Sequence, residues 1–133
     1  MGDEIWSSLI AFSPISVLIE ELGLRVVPYF FAVGLYQGWP RFMDLLRHSR
    51  GPGVERLDVF MTPLFGVLNG LIHMSNVSSG SPLNMLKYFF THFVGGAYLG
   101  AVYLRRGFTK SYAVHLLYNL MLFGLTYLPD TLL

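Results

Sequence analysis

Apolar residues are concentrated in four stretches of the chain, separated by short polar segments. The stretches cover about residues 14–38, 58–74, 82–104 and 109–128. Each is near the roughly 17–25 residues that a helix needs to cross the hydrocarbon core of a bilayer. The pattern predicts an all-α, polytopic membrane protein with four transmembrane helices in one core domain, residues 14–133. Residues 1–13 are too short to span a bilayer, and we expect them to lie at its interface.

The composition indicates that lipid is the main solvent of this chain. Of its 133 residues, 53% are hydrophobic and 13% are charged, whereas a soluble domain has roughly 25% charged residues. The net charge is +1, and no basic stripe with interleaved aromatics is present, which argues against nucleic-acid binding. The chain has no cysteine, so thiolate nucleophiles and zinc–thiolate sites are excluded.

Seven of the nine basic residues lie just before the second and fourth stretches or at the very start of the fourth. They are Arg41, Arg47, Arg50, Arg56, Arg105, Arg106 and Lys110. Short cytoplasmic loops carry an excess of Lys and Arg. We therefore expect loops 39–57 and 105–110 in the cytoplasm and both termini on the opposite side. This topology places Glu20 and His73 toward the outer leaflet and His115 nearer the cytoplasm.

Several polar and ionisable side chains fall inside the apolar stretches. They are Glu20, Glu21, Arg25, Asn69, His73, His92, His115 and Asn119. Ionisable groups at membrane depth usually face the bundle interior and mark a functional site. Glu21 and Arg25 are four residues apart, in the order that favours an ion pair on one helix face. Glu20 lies one step around the helix, so the spacing predicts a paired Glu21 and a freer Glu20.

Taken singly, these residues also have structural explanations. An isolated intramembrane histidine such as His92 is typical of a hydrogen-bonded packing residue, and Asn69 could bond across helices. The Glu21–Arg25 pair could serve only to lock its helix. His115 and Asn119, however, are also four residues apart and point the same way from the fourth helix. The complete set, spread over three helices, is easier to explain as one site facing the bundle interior.

Two other kinds of site fit the set less well. Two histidines and a carboxylate suit zinc in principle, but no HExxH motif is present and the histidines lie on separate helices. Chains of Glu and His can form proton paths, but four short helices leave little room for alternating access. We therefore expect no cofactor, with zinc as the one metal that the residue types would allow.

Three motifs in order resemble a known family. The stretch "EELGLR" fits an EExxxR motif, "NGLIH" supplies a motif histidine at His73, and "HLLYN" supplies a histidine and an asparagine at His115 and Asn119. The set is similar to that of the CPBP family, the Abi or CAAX-prenyl-endopeptidase-like intramembrane proteases. The chain departs from the family pattern at Asn69, where the motif has a phenylalanine.

The resemblance implies a glutamate-dependent peptidase. By motif, Glu20 would activate a water molecule with help from His73, and His115 and Asn119 would stabilise the oxyanion. Glu21 and Arg25 would hold the site together.

The leading hypothesis is an intramembrane endopeptidase that cleaves peptides or proteins at the membrane, in contact with lipid. The alternative is a non-catalytic relative that serves as a structural or assembly subunit of a larger membrane complex. Gly96 and Gly100 form a small-residue face that allows close helix approach and could contact such a partner. A small transporter or proton relay has only the same ionisable groups in its favour.

Overall fold

Four helices make up the part of the chain that the computed structural model describes, residues 13–37, 55–74 and 81–127. They are α1 (residues 14–37), α2 (Glu55–Met74), α3 (Pro82–Arg106) and α4 (Phe108–Tyr127). No strand occurs in these ranges, so the all-helical prediction is confirmed for them. The predicted interfacial segment, apart from residue 13, and most of loop 39–57 lie outside the described residues.

Serine–proline pairs begin both α1 and α3. The Ser13 hydroxyl oxygen accepts a hydrogen bond from the Ser16 backbone N–H at 3.2 Å, and Ser81 caps Asn84 in the same way at 3.3 Å. A proline follows each cap, where its missing N–H costs nothing because the first N–H groups of a helix have no internal acceptor. The starts of these two helices are therefore set locally.

Helix α1 changes its pitch halfway along. An α-helical segment, Pro14–Glu21, leads into a π-helical turn, Leu22–Val26, and then into a second α-helical segment, Val27–Gln37. Pro28 follows the wide turn closely; it has no N–H to donate, and its ring would crowd the carbonyl four residues earlier in a regular helix. Such π turns are frequent at functional sites. This one begins directly after the two glutamates.

Glycines allow α2 and α3 to pack with their backbones close together. A Cβ atom added at Gly66 would lie 2.8 Å from the Phe93 carbonyl oxygen, and one at Gly96 would lie 2.8 Å from the Phe65 carbonyl oxygen. Gly100 is likewise pressed against the Phe65 side chain. The small-residue face predicted on α3 is thus occupied by α2 of the same chain. A partner complex stays a prediction, but it would have to use another surface.

One hydrophobic core joins α1, α2 and α3 near the start of α2. Its buried members are Val26, Tyr29, Val33, Met61, Phe65, Tyr103 and Leu104. The α3–α4 connection is shorter than the predicted loop 105–110, because Gly107 alone separates the two helices. Its φ of 82° lies in the left-handed region, which favours glycine.

The outer surface of the helices carries many large apolar side chains. Examples from each helix are Ile15, Leu35, Phe60, Val94 and Leu117, all exposed by more than half. A surface this apolar suits lipid better than water. Among the described residues, one segment, Arg56–Met74 of α2, is long and apolar enough to pass as a membrane span. It belongs to the shortest predicted stretch, and the four-span arrangement stays a prediction.

Candidate active site

The Glu21 carboxylate lies at the centre of a buried polar cluster. The Arg25 Nη1 group donates to its Oε1 atom at 2.5 Å, across the π turn, and His115 Nδ1 lies 2.8 Å from the same oxygen. The Ser111 hydroxyl donates to Oε2 at 2.6 Å. All four side chains are buried. We call Glu21, Arg25, Ser111 and His115 the Glu21 cluster; it ties α1 to α4 through charge-assisted hydrogen bonds.

Arg25 meets the cluster through only one of its nitrogens. Its side chain is 1% exposed, yet Nε and Nη2 have no hydrogen-bond partner among the described residues. The guanidinium nevertheless neutralises Glu21, and a buried charge is tolerated only when it is paired. The ion pair that the i, i+4 spacing predicts is therefore present.

The Glu20 carboxylate occupies the opposite kind of environment. Its side chain is 27% exposed, and its Oε2 atom lies 3.7 Å from His73 Nε2 and 3.6 Å from His115 Nε2. These separations are too long for direct hydrogen bonds, and an imidazole at this distance attracts the carboxylate electrostatically only when the ring is protonated. Glu20 thus faces two imidazoles from two other helices, while its neighbour along the chain is enclosed.

His115 lies between the two glutamates. Its Nδ1 atom faces Glu21 and its Nε2 atom faces Glu20. Because an ionised carboxylate only accepts hydrogen bonds, the contact with Glu21 requires the proton to be on Nδ1. The second ring nitrogen then points toward Glu20, with its donor or acceptor role decided by whether it also carries a proton.

The Glu20 side chain lines a cavity of about 490 Å³ between the helices. The predicted site residues that line it are Glu20, His73, His115 and Asn119, whereas Glu21 and Arg25 lie behind its wall. The Asn119 amide has no hydrogen-bond partner within the described ranges, so its N–H groups can bind a ligand.

The expected difference in depth between His115 and the Glu20–His73 pair is wrong, since α4 brings His115 directly beside Glu20.

Asn69 and His92 join the α2 and α3 sides of the same cavity. The Asn69 Nδ2 group donates to the His92 carbonyl oxygen at 2.8 Å. The His92 ring stacks on the His73 ring with centroids 4.1 Å apart and planes inclined by 15°. The sequence suggested a hydrogen-bonded packing residue at His92; its ring does pack, but against the ring of the predicted catalytic residue His73 and without a hydrogen bond to a described residue.

Sequence reasoning missed Ser111, which is fully buried against Glu21 and also lies 3.1 Å from the Leu99 carbonyl oxygen. A signal for it exists: Ser111 precedes His115 by one helical turn, so Ser111, His115 and Asn119 share one face of α4. Tyr88 and Thr91, which also line the cavity, carried no comparable signal.

The residues described do not form a metal centre. No group of three His, Cys, Asp or Glu side chains in the described ranges is arranged to hold a metal ion.

A second, mostly apolar cavity of about 640 Å³ adjoins the polar one between α3 and α4. The two cavities share Thr91, Gly95, Leu99 and Tyr118 in their walls. The remaining lining is aliphatic or aromatic, including Phe90 and Val94. An apolar group in this groove would therefore lie next to the carboxylate and imidazoles of the polar cavity.

Comparison with known proteins identifies the family. The model of the Rce1-like family, described as type II CAAX prenyl endopeptidase Rce1-like, matches residues 2–121. Because the match covers most of the 133 residues, the chain belongs to this family of membrane-embedded proteases, and the resemblance seen in the motifs is confirmed. No curated protein and no solved structure matches the chain.

Proposed function

We propose that this Rce1-like chain is an intramembrane endopeptidase in which Glu20 activates the water that attacks a peptide bond. The observation that carries the proposal is the contrast between two adjacent glutamates. Glu21 is fully occupied by three donors, whereas Glu20 faces a cavity and has imidazoles of His73 and His115 near one oxygen. Only Glu20 is free to take a proton from water.

The geometry supports a division of roles among the cavity residues. Glu20 accepts a proton as a water oxygen adds to the substrate carbonyl carbon, with His73 3.7 Å away to share the proton. The same proton then passes to the leaving amine. Since the side chains of Glu20 and His73 both lie on the cavity wall, a substrate carbonyl inside the cavity can reach them.

The negative oxygen formed by this addition needs hydrogen-bond donors. The Asn119 amide, which has no hydrogen-bond partner among the described residues, is one candidate, one helical turn beyond His115. His115 can contribute from Nε2 only when its ring is doubly protonated, because its Nδ1 proton is used by Glu21. The Glu21 cluster acts behind the cavity wall by fixing the orientation of that ring.

The adjoining groove supports a substrate with an apolar portion beside the scissile bond. Its walls are nearly all apolar, and it shares Gly95 and Leu99 with the wall of the polar cavity. The family description names a CAAX prenyl endopeptidase. A prenylated CAAX peptide is therefore the first substrate to test, followed by its unprenylated form and by a transmembrane peptide.

The basic helix ends support the topology that the loops predict. Arg56, Arg105, Arg106 and Lys110 are all exposed. They adjoin Leu57, Leu104 and Phe108, which pack around one core cluster, so these helix ends share one end of the molecule. We place this end in the cytoplasm, following the positive-inside rule.

The test is cleavage of these peptides by purified protein in lipid vesicles, comparing wild type with Glu20→Gln. General-base catalysis typically contributes about 10²–10⁴ in rate, so we expect kcat/KM to fall by that factor. The amide has the same shape as the carboxylate, and Glu20 makes no direct hydrogen bond among the described residues. Folding should therefore be unaffected, as judged by thermal melting in detergent.

Equal cleavage by wild type and Glu20→Gln would disprove the role of Glu20. Absence of cleavage by wild type, together with copurification in fixed ratio with a larger membrane complex, would favour the non-catalytic subunit.

A further inference from the structure

A histidine outside the three motifs is stacked on a motif histidine. The rings of His73 and His92 lie 4.1 Å apart and nearly parallel, and Tyr88 covers His92 with a centroid separation of 4.4 Å. All three side chains line the polar cavity. The His92 ring makes no hydrogen bond to a described residue, so its contacts are ring to ring.

The packing of α2 against α3 explains why the rings can overlap. Gly66 and Gly96 remove the side chains that would hold the helices apart. At this short separation the Asn69 amide reaches the backbone of α3 and donates to the His92 carbonyl oxygen at 2.8 Å. His73 follows Asn69 by one helical turn on the same face of α2. The hydrogen bond therefore sets the level at which the two imidazoles meet.

The stack restrains the ring whose orientation matters to Glu20. His73 lies near the end of α2, and its side chain is 22% exposed, so the helix alone does not hold its ring. Against the flat face of His92 the ring keeps its plane while its Nε2 atom stays 3.7 Å from Glu20. A freely rotating imidazole would spend part of its time directed away from the carboxylate.

We propose that His92 is a positioning residue: its ring holds His73 in the orientation that lets Nε2 share a proton with Glu20. This role rests on the proposed function for its effect on catalysis, although the stack itself can be tested without any activity. The ring face of His92 is what acts, because no polar atom of that ring contacts Glu20 or His73 by a hydrogen bond. A phenyl ring should therefore replace it, whereas an aliphatic side chain should not.

The first experiment compares peptide cleavage by His92→Phe and His92→Leu in lipid vesicles. We expect His92→Phe to keep kcat within about threefold of wild type and His92→Leu to lower kcat at least about tenfold, a part of the usual acid–base contribution. KM should stay unchanged in both, because the effect acts on the chemical step. Equal losses in the two variants would mean that a His92 nitrogen is needed, and wild-type kcat in His92→Leu would mean that the stack is irrelevant; either result overturns the proposal.

The second experiment measures the rate at which diethyl pyrocarbonate modifies His73, by mass spectrometry of the membrane-embedded protein. The His73 rate in His92→Leu should exceed the wild-type rate several-fold, and that in His92→Phe should match wild type. An unchanged rate in His92→Leu would overturn the stack. If wild type cleaves nothing, the proposed function fails, and the labelling rates still decide whether His92 restrains His73.

Discussion

Glu20 and Glu21 are adjacent in the chain but belong to two regions with opposite properties. Glu21 lies in a closed cluster where three donors from α1 and α4 use both of its oxygens. Glu20 lies in the wall of an open cavity, at 3.6–3.7 Å from two imidazoles and with no direct hydrogen bond from the described part of the chain. Identical side chains are thus given a structural and a reactive environment by one step along a helix.

The difference teaches how a small helical protein can keep a reactive carboxylate in place. A fully buried carboxylate whose two oxygens both accept hydrogen bonds from the protein is shielded from water, so it stabilises the fold instead. Because His115 contacts both glutamates, the closed cluster also orients a side chain of the open cavity. The hydrogen bonds of the Glu21 cluster thereby hold His115 in place beside Glu20.

The largest effect that separates the two regions is the loss of stability expected from Glu21→Gln. Removal of the negative charge leaves the Arg25 guanidinium buried without a counter-ion, and breaking a buried pair typically costs about 3–5 kcal/mol of stability. Thermal melting in detergent should show this loss, while Glu20→Gln serves as the matched control with little change. Equal destabilisation by the two variants would erase the distinction between the two regions.

Asn119→Ala tests the role of the open cavity in catalysis. If the free amide stabilises the oxyanion, its removal should lower kcat by about 10²–10³, the usual effect of losing one such donor. Asn119→Asp keeps the shape of the side chain without its N–H groups and should lose as much activity. The melting temperature of Asn119→Ala should stay near wild type, and full activity in the Asp variant would exclude the amide as a donor.

The smallest of these effects is expected from Ser111→Ala, which sharpens the definition of the closed cluster. The variant removes a hydroxyl that donates to a buried carboxylate at 2.6 Å, a bond to a charged group worth about 1.5–3 kcal/mol. The control is Tyr112→Phe on the same helix, since the Tyr112 hydroxyl donates to the Pro14 carbonyl oxygen in an exposed position. A larger loss of stability in the control would show that burial does not decide these contributions.

Local signals account for the parts of this protein that sequence reasoning predicted well. The four apolar stretches give the number of helices in the described ranges. The Glu21–Arg25 ion pair follows from i, i+4 spacing. The motif residues were identified because their spacing resembles a family pattern, and the match over residues 2–121 agrees with that resemblance.

Contacts between distant positions lay beyond such signals. Nothing in the local sequence says that Ser111 donates to Glu21, 90 residues earlier, or that His92 stacks on His73. The expected loop 105–110 and the expected depth of His115 were wrong because hydrophobic patterns locate helices without showing how they cross. A polar cavity also needs walls from several helices, so its existence could be expected but its members could not be named in full.

The sequence by itself determined where helices form, that their surface is apolar, and which charged and polar residues must be kept away from lipid. These properties depend on composition and on spacing of three to four residues, which the backbone geometry of a helix converts directly into faces. The spacing already predicted a paired Glu21 and a freer Glu20, but the tertiary structure determined how completely Glu21 is enclosed and that Glu20 faces a cavity. These environments depend on how close α2 and α4 bring hydrogen-bond donors to each carboxylate. A donor at about 3 Å makes a direct hydrogen bond and occupies the oxygen, whereas one beyond about 3.5 Å leaves the oxygen available to other partners.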